Sequence, residues 1–572
     1  MDRPISRRSE LAAQTDGKRS LEMMRLQNQS VGSDTEAAEK ERDGDGTDST
    51  LAAEEDEEYV TGVRLWLVLV ALTGTTFLMM LDMSIITTAI PQITTAFNSL
   101  ADVGWYGAAY NLTGAALQPL AGKLYTHLLS KWIFLCFLFL FEVGSLICGV
   151  STSSTMLIVG RAVAGMGSAG LFNGALTIIG NTVPLARRPV IIGIMIGFSN
   201  MGLVMGPLVG GALTEYTTWR WCFYINLPIG GVVAILLALI RIPSKLSTPL
   251  RLTQLPPHLD LPGFVLFAPA AIMFLLALQF GGNEHAWSSS VVVGLFVGAG
   301  VTALLFVCWE RRVGDAKAMV PLGLFKRRVV WTSAVVGALN MSITLVGSYY
   351  LPQYFQSVKG ETPFRGGVDF LPTILAQLVS AVVSGALVGK LGYYLPWVFC
   401  GSVYASIGSG LISTWVPTTS TGVWIRYQII LGAGRGAAMQ MHIIAIQANL
   451  PASRLSVSMA TLVFIQTLGG AVFLTVAQLI FSQGLGRNMT KYAPSVDAKT
   501  VLAAGGTGFR TVVAESELDG VVMAYAKSIS EVFYLCAALA CVVFVLAWGM
   551  GWVDIRKKAP QAFRLEKGDT QS

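Results

Sequence analysis

The 572-residue chain is 53% hydrophobic and only 13% charged, with a mean hydropathy of +0.59, whereas soluble domains carry about 25% charged residues. That excludes an ordinary soluble enzyme or binding module and calls for a bilayer as solvent. The net charge of +6 divides into −8 on residues 1–63 and +14 on the remainder. The basic excess therefore belongs to the hydrophobic part, and no nucleic-acid partner is expected.

Residues 1–63 hold 16 acidic and 8 basic residues and no apolar run, the composition of a disordered acidic tail. Windows of about 20 apolar residues then predict spans near 65–90, 105–125, 132–150, 156–181, 190–214 and 221–241. A pair follows near 261–281 and 290–310, and six more lie near 330–352, 367–389, 396–415, 423–448, 456–482 and 529–553. The chain is expected to be an all-α polytopic membrane protein with 14 transmembrane helices. Lys123, Lys131, Arg187, Arg188, Arg311, Arg312, Lys390 and Arg454 crowd the loops after even-numbered spans, while the opposite short loops offer only Arg220, Lys359 and Arg365. Positive residues stay inside, so both termini, including the tail 554–572, are expected in the cytoplasm. The long outer loop, 483–528, contains "NMT" at 488–490, which makes Asn488 a candidate glycosylation acceptor. All seven cysteines fall within or at the ends of spans, so no disulfide framework is expected.

Three short patterns recur at one offset: "GKL" at 122–124 and 389–391, Gly-x-Gly at 165/167 and 432/434, and Pro-x-x-Arg at 184–187 and 451–454, each separated by 267 residues. That offset equals eight spans. Spans 1–6 (64–241) then map onto spans 9–14 (329–553), and residues 242–328, with two helices and their cytoplasmic linkers, are an insertion, giving 6 + 2 + 6. Parallel halves of this kind are the major facilitator architecture, with substrate at the midplane between them.

In span 5, "GLVMGPLVGG" (202–211) sets Gly202, Gly206 and Gly210 on one helical face, with Gly211 beside them and Pro207 able to bend the helix. In lipid, small residues let backbones approach. Span 10 has a stripe of the same spacing, Ala381, Gly385 and Gly389, and the two stripes are expected to meet at the seam between the halves.

"GFSNMGLVMGPLVGG" (197–211) resembles the antiporter motif of proton-driven exporters of the major facilitator superfamily. It is continued by "WRWCFYINLPIGG" (219–231), which resembles the fourteen-span drug:H+ antiporter family. "LDMSIITTAIPQI" (81–93), "VGRAVAGMGSAG" (159–170) and "FIQTLGG" (464–470) resemble that family's first, fourth and thirteenth helices. The resemblance covers residues about 60–555 and is strongest to fungal efflux pumps for toxins and drugs. It implies proton-driven export of a small, largely apolar molecule by a monomer in the cell membrane, or alternatively in a vacuolar or vesicle membrane. One stretch departs from the family. The loop after span 2, "GKLYTHLLSKW" (122–132), has Thr126, His127, Leu129 and Ser130 where the family carries Asp, Arg, Gly and Arg, leaving Gly122, Lys123 and Lys131 as the remnant of a cytoplasmic gate.

Ionisable residues at the bilayer centre cost at least about 2.5–3.5 kcal/mol and are functional candidates by default. Asp82 of span 1 and Arg161 of span 4 lie roughly 12 and 9 Å below the outer ends of their helices, from a rise of about 1.5 Å per residue. Matched depth permits either a proton-exchanging pair or a fixed ion pair holding helices together. Glu142 of span 3 is a third proton-coupling candidate, with a static polar contact as its alternative, and Arg435 of span 12 either faces the cavity or pairs with carbonyls. Neutral polar residues at cavity depth are Asn111, Gln118, Asn200, Asn340, Gln377, Gln440, His442 and Gln466, with Tyr349 as an aromatic candidate.

"GMGSAG" (165–170) follows no strand, and "GALVGKL" (385–391) is one residue short of a phosphate-binding loop and lacks its Ser or Thr. No ATP, cofactor or metal is expected, and no catalytic constellation is present. Besides proton-coupled export, two other readings remain: uptake of a siderophore or nutrient by the same fold, and a transporter-like receptor that does not translocate.

Overall fold

The structure, a computed structural model, describes residues 61–556 apart from 98–101, 243–254, 256–257, 283–284, 315–316, 451, 498–499, 502–507 and 511. The acidic tail to residue 60 and the end of the C-terminal tail lie outside the described residues. Helices run through Gly62–Phe97 (α1), Val103–His127 (α2), Ser130–Gly149 (α3), Ser154–Thr182 (α4), Arg188–Tyr216 (α5) and Asn226–Leu239 (α6), the last preceded by a turn at Trp221–Tyr224. Two more, Leu261–Phe280 (α7) and Ser290–Val313 (α8), form an antiparallel hairpin. The remainder are Arg328–Ser357 (α9), Pro363–Leu391 (α10), Leu395–Ile412 (α11), Thr421–Ala438 (α12, resumed after a break as Met441–Asn449), Ala452–Tyr492 (α13) and Glu515–Ala547 (α14).

Thirteen of the described helical stretches are long and apolar enough to cross a membrane. The predicted second span is not among them. It corresponds to α2, which has 25 residues but carries Asn111, Thr113, Gln118, Lys123 and His127. It packs against α4, α7 and α13 within the bundle, where protein meets most of these polar side chains, Asn111 being the exposed one.

Helices α1–α6 pack among themselves, as do α9–α14. The two sets meet along α5 with α10 and along α2 with α13, and the hairpin rests through α7 on the second of these seams. At the end of the bundle where α1 begins and α14 finishes both seams are tight. A Cβ on Gly122 would come within 2.5 Å of the Ala460 Cβ, one on Gly385 within 2.6 Å of the Pro189 carbonyl, and one on Gly389 within 2.5 Å of the Ala186 carbonyl.

The glycine stripe of α5 does not face α10. Gly202 packs on the backbone of Phe77 and Leu81, Gly206 on Ser84 and Ile85, and Gly210 on Ile85 and Thr88, all of α1. Polar bonds join the same two helices: Ser84 Oγ donates to the Gly202 carbonyl (3.3 Å), and Gln92 Nε2 to the Thr214 carbonyl (2.9 Å). Gly211 has open space beside it, and Pro207 lies within the helix without ending it. The seam with α10 is made instead by Gly193 and Gly197, which approach Ala381, Leu378 and Gln440. Five residues separate 197 from 202, a rotation of about 140° on an α-helix, so one helix presents close-approach faces to two neighbours.

The expected outer loop is shorter than 483–528, because α13 continues to Tyr492 and α14 begins at Glu515. These extensions bury Leu485, Met489, Val521 and Tyr525 and are tied by an Arg487–Glu531 ion pair at 2.7 Å. Asn488 therefore sits on a packed helix, its amide nitrogen donating to Ser528 Oγ (3.0 Å) and Glu531 Oε1 (3.3 Å).

Candidate functional site: a buried ion pair in the first half

Asp82 and Arg161, each 1% exposed, meet across α1 and α4, with Arg161 Nη1 donating to Asp82 Oδ2 at 2.6 Å. The rest of the guanidinium is fixed by α2: Nε donates to the Tyr106 carbonyl (2.9 Å), and the cation lies 4.5 Å from the centroid of the Tyr110 ring. The other carboxylate oxygen, Oδ1, accepts from Asn226 Nδ2 (3.1 Å), and that nitrogen also reaches Ser145 Oγ (3.0 Å) on α3. Residues of five helices thus form one network around the ion pair. Asn226, wholly buried at the start of α6, lies within the "WRWCFYINLPIGG" stretch. Sequence reasoning passed over it because a neutral Asn at a span's beginning looks interfacial.

A buried ion pair is weak evidence for stability, since desolvation offsets its attraction. Its chemical capacity is clearer. Each carboxylate oxygen holds one donor, so protonating Asp82 removes the charge that binds Arg161 and loosens the hold of α1 on α4 and α6.

Glu142 does not join this network. Its carboxyl is buried against Gly230 of α6, and neither oxygen has a hydrogen-bond partner. It stands one turn before Ser145 on α3, on the face toward α6. Arg435, 6% exposed, donates through Nη2 to the Thr344 carbonyl (3.2 Å) and has no carboxylate partner among the described residues. At the 267-residue offset Asp82 is matched by Tyr349 and Arg161 by Gln428. Gln428 accepts from Thr373 Oγ1 (2.8 Å) and donates to the Asp369 carbonyl (2.9 Å). The second half keeps the frame of the site but fills it with neutral groups.

The other polar candidates do not gather into one cavity. Gln377 and Asn200 both turn toward Met439 at the break in α12, with Gln377 Nε2 at 3.2 Å from its sulfur. Gln440 donates to the Ala381 carbonyl (2.8 Å) on the α5–α10 seam. His442 and Gln466 bond each other beside Gly337, and Asn340 lies about one turn further along the same helix, α9. Gln118 has a buried carbonyl oxygen without a partner. Asn111 is exposed and donates to its own helix. Among these candidates Tyr349 alone lines a cavity of about 600 Å³, at the end of the bundle where α7 finishes and α8 begins.

The gate remnant also divides. Gly122 is a seam contact with α13, and Lys131 instead caps the end of α6, donating to the carbonyls of Ala238 (2.7 Å) and Ile240 (2.8 Å). Lys123, 4% exposed, donates to the Lys317 carbonyl (3.2 Å) in the linker after α8, within electrostatic reach of Glu310 and Asp260. Those two buried carboxylates hold the same linker. Met319 N donates to Asp260 Oδ2 (3.1 Å) and to Glu310 Oε1 (3.1 Å), and Trp309 Nε1 donates to Asp260 Oδ1 (2.8 Å). The loop after span 2 lacks the one acid of the family's pattern, and the inserted hairpin brings two acids near Lys123 instead.

Two helix sets meeting at seams, with a buried charged pair in one of them, are the architecture of a membrane transporter. The chain belongs to the Major Facilitator Superfamily, whose model matches residues 72–474. It is 51% identical over 535 residues to the MFS-type transporter pigP of Monascus ruber, covering 93% of this chain and 94% of that one. It is also 51% identical over 521 residues to the efflux pump mlcE of Penicillium citrinum, covering 89% and 94%. Among solved structures, the proton:xylose symporter XylE shares the fold, with a TM-score of 0.53 at 14% identity over 86% of this chain and 98% of that one.

Proposed function

We propose that the protein is a proton-coupled exporter of a small, largely apolar organic compound. It works as a monomer by alternating access, with both termini in the cytoplasm, in the cell membrane or alternatively a vacuolar or vesicle membrane. The observation that carries this reading is the Asp82–Arg161 pair, buried in the half that also holds the antiporter-type glycines. Export as the direction is supported by the relatives named efflux pumps at about half identity.

In this reading the route from proton to seam runs through α1 and α5. Gly202 and Gly206 of α5 lie against the turns of α1 that flank Asp82, while Gly193 and Gly197 on another face of α5 meet α10. A change in the charge of Asp82 alters how α1 sits against α4 and α6. Because α5 touches α1 backbone to backbone, it moves with α1 and shifts the seam. Asn226 and Ser145 hold the second carboxylate oxygen and so orient the group that takes the proton. Glu142, near that relay, is a second proton-coupling residue in this scheme.

Everted vesicles with an imposed pH gradient test the reading. Accumulation of an apolar fluorescent substrate that collapses when the gradient is dissipated supports it. Movement in the opposite direction indicates uptake, and binding without accumulation indicates a receptor.

A further inference from the structure

The inserted hairpin walls a cavity that the charged pair does not explain. The space, about 600 Å³, lies between the far end of the hairpin, with Gln279 and Trp287, and the second half, with Tyr349, Thr475, Gln478 and Leu479. That volume is in the range of small-molecule sites, about 300–1,000 Å³.

Its two walls come from different parts of the chain, and the hairpin also touches the second half, where Phe267 meets Phe464 with ring centroids 4.7 Å apart. Phe280 at the end of α7 meets Trp105 of α2 edge to face, with centroids 5.9 Å apart, which ties this end of the hairpin to the first half. Trp287 folds back over Gly281 and Gly282 and stacks on Phe296, and the turn is closed by Gly282 N donating to the His285 carbonyl (2.8 Å). The opposing wall is α9 and α13 of the second half.

The lining specifies the ligand's chemistry. No Asp, Glu, Lys, Arg or His is among the described lining residues, so an ionised group would be taken from water without a counter-charge. The wholly buried Tyr350 donates through its hydroxyl to Gln478 Oε1 (3.0 Å), which orients the carboxamide and leaves its nitrogen as the donor for a ligand. Thr475 donates its own hydroxyl proton to the Ala471 carbonyl (2.9 Å). Trp287 and Tyr349, 37% and 58% exposed, offer apolar ring surface.

We propose that this hairpin-walled cavity is a binding site for a neutral, amphipathic, carbonyl-bearing organic molecule, the last station before release. Its place in the export sequence rests on the function proposed above; its ligand chemistry does not.

The test uses the full chain in lipid nanodiscs with no proton gradient. Leu479→Cys is labelled by a charged maleimide, with neutral coumarin, a lactone, as probe and coumarin-3-carboxylate as the ionised control. The native cysteines lie within or at the ends of apolar spans and give the background. Saturating coumarin is expected to slow labelling at least five-fold and the carboxylate not at all. Adding Gln478→Leu should weaken protection by coumarin roughly three- to ten-fold, the value of one neutral hydrogen bond. Thr475→Cys serves as a second reporter if Leu479→Cys does not fold. Equal protection by both probes, no protection by coumarin, or indifference to Gln478→Leu overturns the site. The same labelling on Asp82→Asn separates the two proposals. Protection that persists beside gradient-driven transport in this variant leaves the site standing and removes the proton role; no protection in the parent, beside transport that is gradient-driven in the parent and lost in Asp82→Asn, removes the site and leaves the proton role standing.

Discussion

Removing both charges of the buried pair, as Asp82→Asn with Arg161→Met, separates coupling from folding. Asp82→Asn alone leaves a guanidinium buried without its counter-ion, a change that typically costs about 3–5 kcal/mol. Part is offset here because Arg161 keeps the Tyr106 carbonyl and the Tyr110 ring. The double variant has no orphaned charge; replacing a buried pair by well-packed hydrophobic side chains is often neutral or stabilising by about 1–4 kcal/mol, and the carboxamide introduced at position 82 keeps an oxygen for Asn226. Its melting temperature in detergent should therefore match or exceed the parent's. Transport should fail. One proton crossing about 100 mV and one pH unit supplies roughly 2.3 and 1.4 kcal/mol, enough for a concentration ratio on the order of 500. In everted vesicles the double variant is expected to reach a ratio of 1 while still exchanging labelled for unlabelled substrate, a step that needs no proton. Gradient-dependent accumulation above about ten-fold in a double variant of normal stability would refute the assignment, since about 1.4 kcal/mol of coupling would have survived without the pair.

Gly206→Ala should lower the melting temperature, because the new methyl meets the Ser84 side chain and comes within 2.8 Å of the Ile85 nitrogen, overpacking worth about 1–3 kcal/mol. Gly211→Ala has open space and should raise stability by up to about 1 kcal/mol; equal effects at the two positions would remove the α1–α5 contact. Cysteines at Gly197 and Leu378 should crosslink across the α5–α10 seam, whereas a Gly206/Gly385 pair should not, and the reverse pattern would restore facing stripes. In a double-mutant cycle on thermal stability, Lys123→Met and Glu310→Gln should couple by about 0.5–3 kcal/mol; additivity would show that the lysine and the hairpin acid act independently.

Much of this was legible in the sequence because charge is rare in a membrane. Asp82 and Arg161 stood out by cost alone, and counting residues to the helix ends placed them at one level, where they meet. Period alone cannot tell which neighbour a small-residue face will choose: Gly202, Gly206 and Gly210 were correctly grouped and wrongly aimed. Asn226 carried no such cost, so the residue that completes the coordination of Asp82 left no mark. The neutral cavity candidates scattered for a related reason, since interhelical bonds such as Gln440 to Ala381 satisfy polar side chains anywhere in a bundle. The hairpin's acids were invisible because Glu310 reads as the polar end of a span, and only folding brings it beside Asp260 and over the linker.

Tyr349 and Gln428, standing where the first half has Asp82 and Arg161, make the duplicated molecule lopsided. On the proposed assignment of the coupled proton to Asp82, substitutions among the neutral groups of the second lobe leave the coupling site undisturbed. A lineage of such pumps then acquires new cargo by editing one lobe. Exchanging residues 329–553 between relatives with different cargoes should carry the cargo preference across and leave the pH dependence of transport behind.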